Sequence, residues 1–528
     1  MNSHLIIAPI VLPLMVAALQ LLVGERSRRG VVVLSVVSCV ALVIVAALLL
    51  LSVSGAGAQV AVYRIGDWPA RFGIVLVADR LSALMVLLGS VLALAILPNA
   101  LSRWQHRGGH FQPLLQFLLM GLNGAFLTGD LFNLFVFFEV LLAASYGLAL
   151  HGSGARRVSA GLHYIAVNLT ASMLFLIGVS LIFGVAGTLN MAVLAELIPT
   201  MPANTRTLLH AGAAILAVAF LIKTAMWPLG FWLPRTYAAS APAVAAMFAL
   251  MTKVGIYVLL RLSLLLFGVG AGEESAGFGS DWMLWGGVAT VLAGTVGLLA
   301  ARDLGQLAGY NVVISSGTLL GAIGLQIPAV TAGALAYLVI STLAIAAFFL
   351  VAGLLATEGD EDADEALVLE PYEQAGDTGG SLYAHEDESR VVVSAPAALL
   401  GATFLVCTLL LSGLPPLSGF LAKFALLTSL PGAGTGAMVL FGVVIVAGFS
   451  TVIAMCRAGI QIFWAEPDRP FPTVRVSETV SILVLLALCV VLTVVVEAPM
   501  RYLQETAMQI HAPLGGVHPE LLPVEASP

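Results

Sequence analysis

The sequence predicts an all-α polytopic membrane protein of about 14 transmembrane helices, organised as two inverted five-helix repeats with broken helices 7 and 12. Three observations lead to that fold class. Of 528 residues, 60% are hydrophobic and only 10% charged, with a mean hydropathy of +1.04; a soluble protein is about 25% charged. Apolar runs long enough to cross a bilayer recur from end to end, and they are continuous rather than alternating, which excludes a β-barrel. Prolines interrupt two of the runs, at Trp227-Pro228 and at Pro415-Pro416. An interior proline breaks a helix, and a membrane tolerates the freed backbone groups only where protein or water meets them.

Taken in order, the first run spans 4–23. It has no basic segment before it and no small-residue cleavage site after it, so it is expected to stay as a helix. Runs at 30–54 and 74–98 follow, and Asp79-Arg80 begins a helix within the latter. The pair 112–129 and 131–150 comes next, the second carrying Glu139 in Phe135-Val136-Phe137-Phe138-Glu139-Val140-Leu141-Leu142. The run 158–186 places His163 near its inner end, where a satisfied buried histidine is expected; 209–231 contains Lys223 and the break at Pro228. Lys253 lies mid-span in 241–266. After 282–301, the run 305–325 carries Tyr310, Asn311, Ser315 and Ser316, polar groups suited to ordering water. The last runs are 328–356, then 394–428 with Pro415, Pro416 and Lys423, then 436–463 and 477–497. The expected organisation is N-terminal helices over 1–111, a first repeat over 112–266, a second over 267–465, and a C-terminal helix and tail over 466–528.

Charge gives the orientation. Residues 357–390 hold 12 of the 29 acids and one arginine, so the formal net charge of −7 belongs to one loop, read as a solvated insertion. One membrane face collects Arg26, Arg28, Arg29, Arg103, Arg107, Arg156, Arg157, Arg235, Arg302, Arg457, Arg469 and Arg475; the other has Arg64, Arg71, Arg206, Glu273, Glu274 and Asp281. The first face is cytoplasmic by the positive-inside rule, which puts both termini outside and the acidic loop inside. Cys39, Cys407, Cys456 and Cys489 stand singly in apolar runs, and no glycine-rich phosphate loop is present. No metal, nucleotide or redox cofactor and no nucleic-acid partner is expected.

Only three of the 22 basic residues are lysines, and Lys223, Lys253 and Lys423 all fall inside apolar runs, with loop positions using arginine. A charge at the centre of a membrane helix costs roughly 2.5–3.5 kcal/mol and is by default a functional group. Arginine does not release its proton in a protein; a buried lysine does so readily when a counter-charge moves. Glu139 and the three lysines are therefore read as a midplane set of proton-carrying groups. The competing reading is a static buried pair that only fixes packing. The lysine–proline order differs between the two breaks, preceding in one and following in the other, as expected for an inverted repeat.

Three segments carry a family resemblance: Thr128-Gly129-Asp130-Leu131-Phe132-Asn133-Leu134-Phe135-Val136-Phe137-Phe138-Glu139, Lys223 through Trp232, and Leu414 through Lys423. They resemble the proton-pumping membrane subunits shared by respiratory complex I and the Mrp-type multisubunit Na+/H+ antiporters, over roughly residues 70–465, and most specifically the D-subunit branch. The resemblance implies exchange of a monovalent cation (Na+, or K+ or Li+) for protons, with no enzyme activity of its own. It also implies assembly with other membrane subunits in a bacterial plasma membrane. It makes Glu139 and Lys223 the pair of helices five and seven, Lys253 the central group and Lys423 the terminal one. Many relatives place a histidine or lysine on helix ten, where this chain has Asn311, Ser315 and Ser316. The alternative is a redox-driven proton-pumping subunit of a complex I-like or hydrogenase-like enzyme.

Overall fold

Helices make up most of the described residues in the computed structural model, which describes residues 3–55, 60–68, 73–102, 110–356, 395–464 and 475–512. The acidic segment 357–390 and the tail beyond residue 512 lie outside the described residues. Helices α1 (Ala8–Val23) and α2 (Arg28–Ser54) come first. The expected span from residue 74 then begins differently. Val75–Ala78 is a strand, β2, paired antiparallel with β1 (Ala61–Arg64), and α3 (Arg80–Ser102) starts only after it. Valine-rich backbone pairs well as a hairpin. Asp79 fixes the helix start, since its Oδ1 accepts from the Ser82 amide at 2.8 Å while its own amide donates to Ser82 Oγ at 2.9 Å.

Helices α4 (Phe111–Leu127), α5 (Leu131–Ala149) and α6 (Ala155–Ala186) follow, then a short α7 (Met191–Leu197). The seventh expected span is divided into α8 (Ala203–Lys223) and α9 (Leu233–Ala239). Next come α10 (Pro242–Phe267), α11 (Ser280–Ala300), α12 (Leu304–Gly324) and α13 (Pro328–Leu355). The twelfth span is likewise divided, into α14 (Ala395–Ser412) and α15 (Ser418–Thr428), before α16 (Thr435–Phe463) and α17 (Val476–Val494). Eleven of the described helices are long and apolar enough to cross a membrane. The other expected spans lie on the shorter apolar helices α1, α4 and the α14–α15 pair.

The C-terminal region holds a feature that the hydropathy pattern did not predict. Residues Glu497–His511 form an amphipathic helix, α18, that lies against α3 and α13. Its spacing was legible: Leu503, Ala507 and Ile510 are buried on one face, and Glu497 pairs with Arg501 one turn on at 2.6 Å. Arg80 is gripped from this side, by Glu505 at 2.7 Å and through its carbonyl by Tyr502 Oη at 2.7 Å.

The centre is filled by α10, α12 and α13, buried along most of their length, whereas α2, α6 and α16 expose valine, leucine and phenylalanine. That is the burial pattern of a bundle whose solvent is hydrocarbon. The two halves share local devices. Asp130 caps α5 by accepting from the Asn133 amide at 2.9 Å, and Asp303 caps α12 by accepting from the Gln306 amide at 2.7 Å. In each half a long helix packs on a piece of the broken one, α6 on α8 and α13 on α15. The start of α5 is pinned to the hairpin as well, through the Gly129 amide to the Val75 carbonyl at 2.9 Å. A side chain at Gly129 would press within 2.8 Å of Val77, so only glycine lets the strand come that close.

Candidate functional site

Both helix breaks are built the same way. In α8 the chain turns at Ala225, in the left-handed region at φ 57°, and the Met226 amide reaches back to the Leu221 carbonyl at 3.0 Å. In α14 it turns at Gly413, φ 77°, and the Leu414 amide reaches back to the Leu409 carbonyl at 3.0 Å. These six-to-one bonds close the helix ends and satisfy carbonyls that a membrane could not hydrate. A proline pair or Trp-Pro follows each turn in a cis peptide, Trp227-Pro228 and Pro415-Pro416. Counted from the turn, the lysines are not equivalent. Lys223 lies two residues before Ala225, where the second half has Leu411; Lys423 lies ten residues after Gly413, where the first half has the exposed Arg235.

Lys223 is the last helical residue of α8 and is buried. Its Nζ has no hydrogen-bond partner among the described residues and stands 4.9 Å above the ring of Phe138. Phe138, Phe175 and Phe220 pack against one another around it, with ring centroids 5.1 to 6.2 Å apart. Glu139, the neighbour of Phe138 on α5, is half-buried and near enough to Lys223 to act on it electrostatically, yet its Oε1 is also without a partner. The expected pair is thus two charges facing one region, without a hydrogen bond between them.

Lys253 is fully buried on α10. Its Nζ donates to Ser315 Oγ on α12 at 2.8 Å, and Ser315 Oγ is 3.0 Å from Ser341 Oγ on α13. Gly255 brings α10 against the first break; a side chain there would come within 2.7 Å of the Thr224 methyl. Beyond Ser341 a cavity of about 20 Å3 is lined by Asn311, Tyr337, Ser341, Thr451 and Lys423, among others, enough for about one water molecule. On its far side Lys423 Nζ donates to the Leu411 and Ser412 carbonyls, each at 2.9 Å. An ammonium on the C-terminal carbonyls of a half-helix also meets the negative end of its dipole. The polar step from Lys253 to Lys423 therefore runs through two hydroxyls and one water-sized space.

Of the supporting residues, Ser315 is in direct contact and Asn311 lines the cavity while donating to the Leu307 carbonyl of its own helix at 2.9 Å. Ser316 is buried but its hydroxyl has no partner among the described residues. His163 corrects the expectation of a buried histidine. It is exposed on the outside of α6 and bonded at 2.9 Å to the Ser159 carbonyl one turn back, because the helix turns its opposite face, with Tyr164 and Asn168, to the core. Asp79 is buried in a two-oxygen ion pair with Arg261 at 2.7 and 2.8 Å, and Arg261 Nε donates to Tyr257 Oη at 2.9 Å. Arg261 lies inside α10, so the division of arginine to loops and lysine to spans is not complete. The exception is instructive, since the arginine is locked to a carboxylate and Lys253, two turns away, meets only a hydroxyl. Sequence reasoning missed Arg261, Ser341, Tyr337 and Thr451. A charge within 241–266 and a Ser-Thr pair within 328–356 were the available signals.

Residues 128–450 match the family model described as NADH:quinone oxidoreductase/Mrp antiporter, TM. The chain is 51% identical over 527 residues to a protein of Rhizobium meliloti (strain 1021) named as the D subunit of a probable K(+)/H(+) antiporter, covering 97% of this chain and 96% of that protein. It is 32% identical over 480 residues to the D subunit of the Na(+)/H(+) antiporter of Bacillus subtilis (strain 168), covering 90% of each. Among solved structures it resembles a chain of the Mrp complex from Dietzia sp. DQ12-45-1b, with a TM-score of 0.82, 25% identity and coverage of 98% and 99% of the two chains. A chain of respiratory complex I from Thermus thermophilus shares the fold, with a TM-score of 0.75, 21% identity and coverage of 97% and 99%.

Proposed function

The chain belongs to the family of NADH:quinone oxidoreductase/Mrp antiporter membrane subunits, and from that premise we propose how its buried groups work. It is a D-type subunit of a multisubunit monovalent-cation/proton antiporter, a multi-pass protein of the bacterial plasma membrane that assembles with other membrane subunits. Protons move along the midplane. Lys223 exchanges its proton under the control of Glu139, Lys253 is the central carrier, and Lys423 is the terminal one. Ser315, Ser341 and a water in the adjoining cavity link the last two. The observation that carries this reading is the bond of Lys253, which is made to a neutral hydroxyl and, among the described residues, to no carboxylate. A lysine held that way can give up its proton without leaving an anion stranded in the membrane.

The shared capping of α5 and α12 and the matching turns at Ala225 and Gly413 support two five-helix repeats over 112–266 and 267–465. In this reading the arginine-rich face is cytoplasmic, the chain crosses fourteen times with the broken helices counted once each, and both termini lie outside. The exchanged cation is K+ or Na+, the two ions named for the relatives. A redox-driven role would share the fold, but the Rhizobium and Bacillus relatives, at 51% and 32% identity, are both named as antiporter subunits. The test uses vesicles holding the assembled complex. Glu139→Gln and Lys223→Ala, made separately, abolish the ΔpH driven by a K+ or Na+ gradient; normal antiport by a normally assembled variant would overturn the proton path.

A further inference from the structure

Away from the midplane set, α2, α3 and α17 enclose a groove of about 350 Å3 on the outside of the bundle, within the range of a small-ligand site. Its floor is Leu94, Leu97 and Leu101 of α3, and Val36 of α2 forms one wall. Pro98 also lines it and, lacking an amide hydrogen, cannot donate to the Leu94 carbonyl. The Asn99 amide turns instead to Ser481 Oγ on α17 at 3.0 Å. One end of the groove is polar, with Ser102 and Ser477 at its mouth. Arg475 is exposed there and donates to the Ser102 carbonyl at 2.8 Å. The acid at this end, Glu478, is 2% exposed and turned inward, accepting from Ser102 Oγ at 3.0 Å.

Helix α2 continues the pattern. Arg29, Val33, Val36 and Val40 share a face at spacings of four, three and four residues, and all four are exposed. Arg29 stands seven residues before Val36, roughly 10 Å along the helix. The groove is therefore aliphatic over its length, open toward the hydrocarbon at Val36, and rimmed by guanidinium groups at the depth of the membrane surface.

We propose that this groove binds one anionic phospholipid. An acyl chain lies between α2 and α3 over Leu94, Leu97 and Leu101, and the phosphate sits among Arg29, Arg475 and the serine mouth. The charge complementarity selects the lipid: among the described residues the solvent-facing charge of the rim, Arg29 and Arg475, is positive, and guanidinium forks match phosphate oxygens. The lipid would brace α3, whose first turn holds Asp79, against α17.

The assembled antiporter complex, reconstituted in phosphatidylcholine vesicles with a little acyl-diazirine phosphatidylglycerol, tests this by photolabelling and peptide mapping. Label is expected on the peptides containing Val36 and Leu94–Ser102, displaced by unlabelled phosphatidylglycerol and not by phosphatidylcholine. Leu97→Trp fills the floor and removes the label; Val36→Phe does so from the opposite wall, and co-purification of the other subunits reports folding for both. Arg29→Gln lowers the preference for phosphatidylglycerol about fivefold, the loss of one basic residue at an anionic surface. Labelling spread equally over α6 and α16 would mean bulk lipid only and overturn the site. So would labelling untouched by either groove-filling variant, or a cross-link from Ser477→Cys to another subunit's helix in place of lipid.

Discussion

At the first break, Lys223 ends its half-helix with an ammonium that rests on an aromatic face and has no hydrogen-bond partner among the described residues. At the second, Lys423 enters from the other side of the turn and donates to two backbone carbonyls of the opposing half-helix, one of them from Leu411. Leu411 occupies the position that Lys223 holds in the first half. The breaks themselves are closed alike, so the difference lies in where the charge was placed on a common frame. An unpartnered buried ammonium is poised to lose its proton or to be met by a moving counter-charge. One tied to carbonyls is held ready as a cation. Between them Lys253 is intermediate, with one neutral partner.

The largest expected effect comes from removing each end. Lys223→Ala and Lys423→Ala both cut antiport by about a hundredfold or more, as for loss of a proton-carrying group. Their thermal stabilities part company. Lys223→Ala leaves the melting temperature in detergent unchanged or raises it, since an unpaired buried charge is removed. Lys423→Ala lowers it, because two carbonyls lose a charged donor worth about 1.5–3 kcal/mol each. Equal melting behaviour would erase the contrast between the two breaks.

The centre gives the next effect. Ser315→Ala takes away the hydroxyl that Lys253 binds and slows antiport about tenfold, a change of about 1.4 kcal/mol, whereas Ser316→Ala, whose hydroxyl has no partner, changes it little. If the two serines prove equivalent in transport assays, the route through Ser315 and Ser341 is wrong. Smaller again is Phe138→Leu. It removes a cation–π contact of about 1–2 kcal/mol, so antiport drops severalfold, while the same change at exposed Phe424, beside Lys423 in sequence, has no matching effect.

The smallest effect lies where α18 clamps onto α13. His511 of α18 bonds Thr331 of α13 at 2.9 Å, and burial pulls its imidazole down from the ordinary 6.5 to about 4. The folded form thus prefers the neutral ring, and the free helix takes up a proton first as pH falls. The clamp holds fully above about pH 6.5 and weakens from there toward pH 4. Amide-exchange protection across Glu497–His511 is expected to be lower at pH 5 than at pH 7, and protection independent of pH would remove His511 from the clamp.

Much of this was legible in the chain itself. Hydropathy located the apolar helices, with starts off by up to six residues at α3 and α8, because hydrocarbon leaves a segment no other way to satisfy its backbone. Pro228, Pro415 and Pro416 marked the breaks, since proline acts locally on its own helix. The scarcity of lysine singled out Lys223, Lys253 and Lys423 because a buried charge is costly wherever it is. What each lysine touches was not local. Phe138 under Lys223 and Ser315 at Lys253 come from helices distant in sequence, the Leu411 carbonyl reaches Lys423 only because the chain turns at Gly413, and an α-helix turns any of several faces inward at nearly the same hydropathy. The same limit put His163 inside by pattern and outside in the fold. It also hid the Asp79–Arg261 pair, whose members are 182 residues apart. Sequence thus determined which groups could carry charge within the membrane. Only the packing of α5, α10, α12 and α13 around the two breaks decided their partners, because partner choice depends on distances that no local propensity encodes.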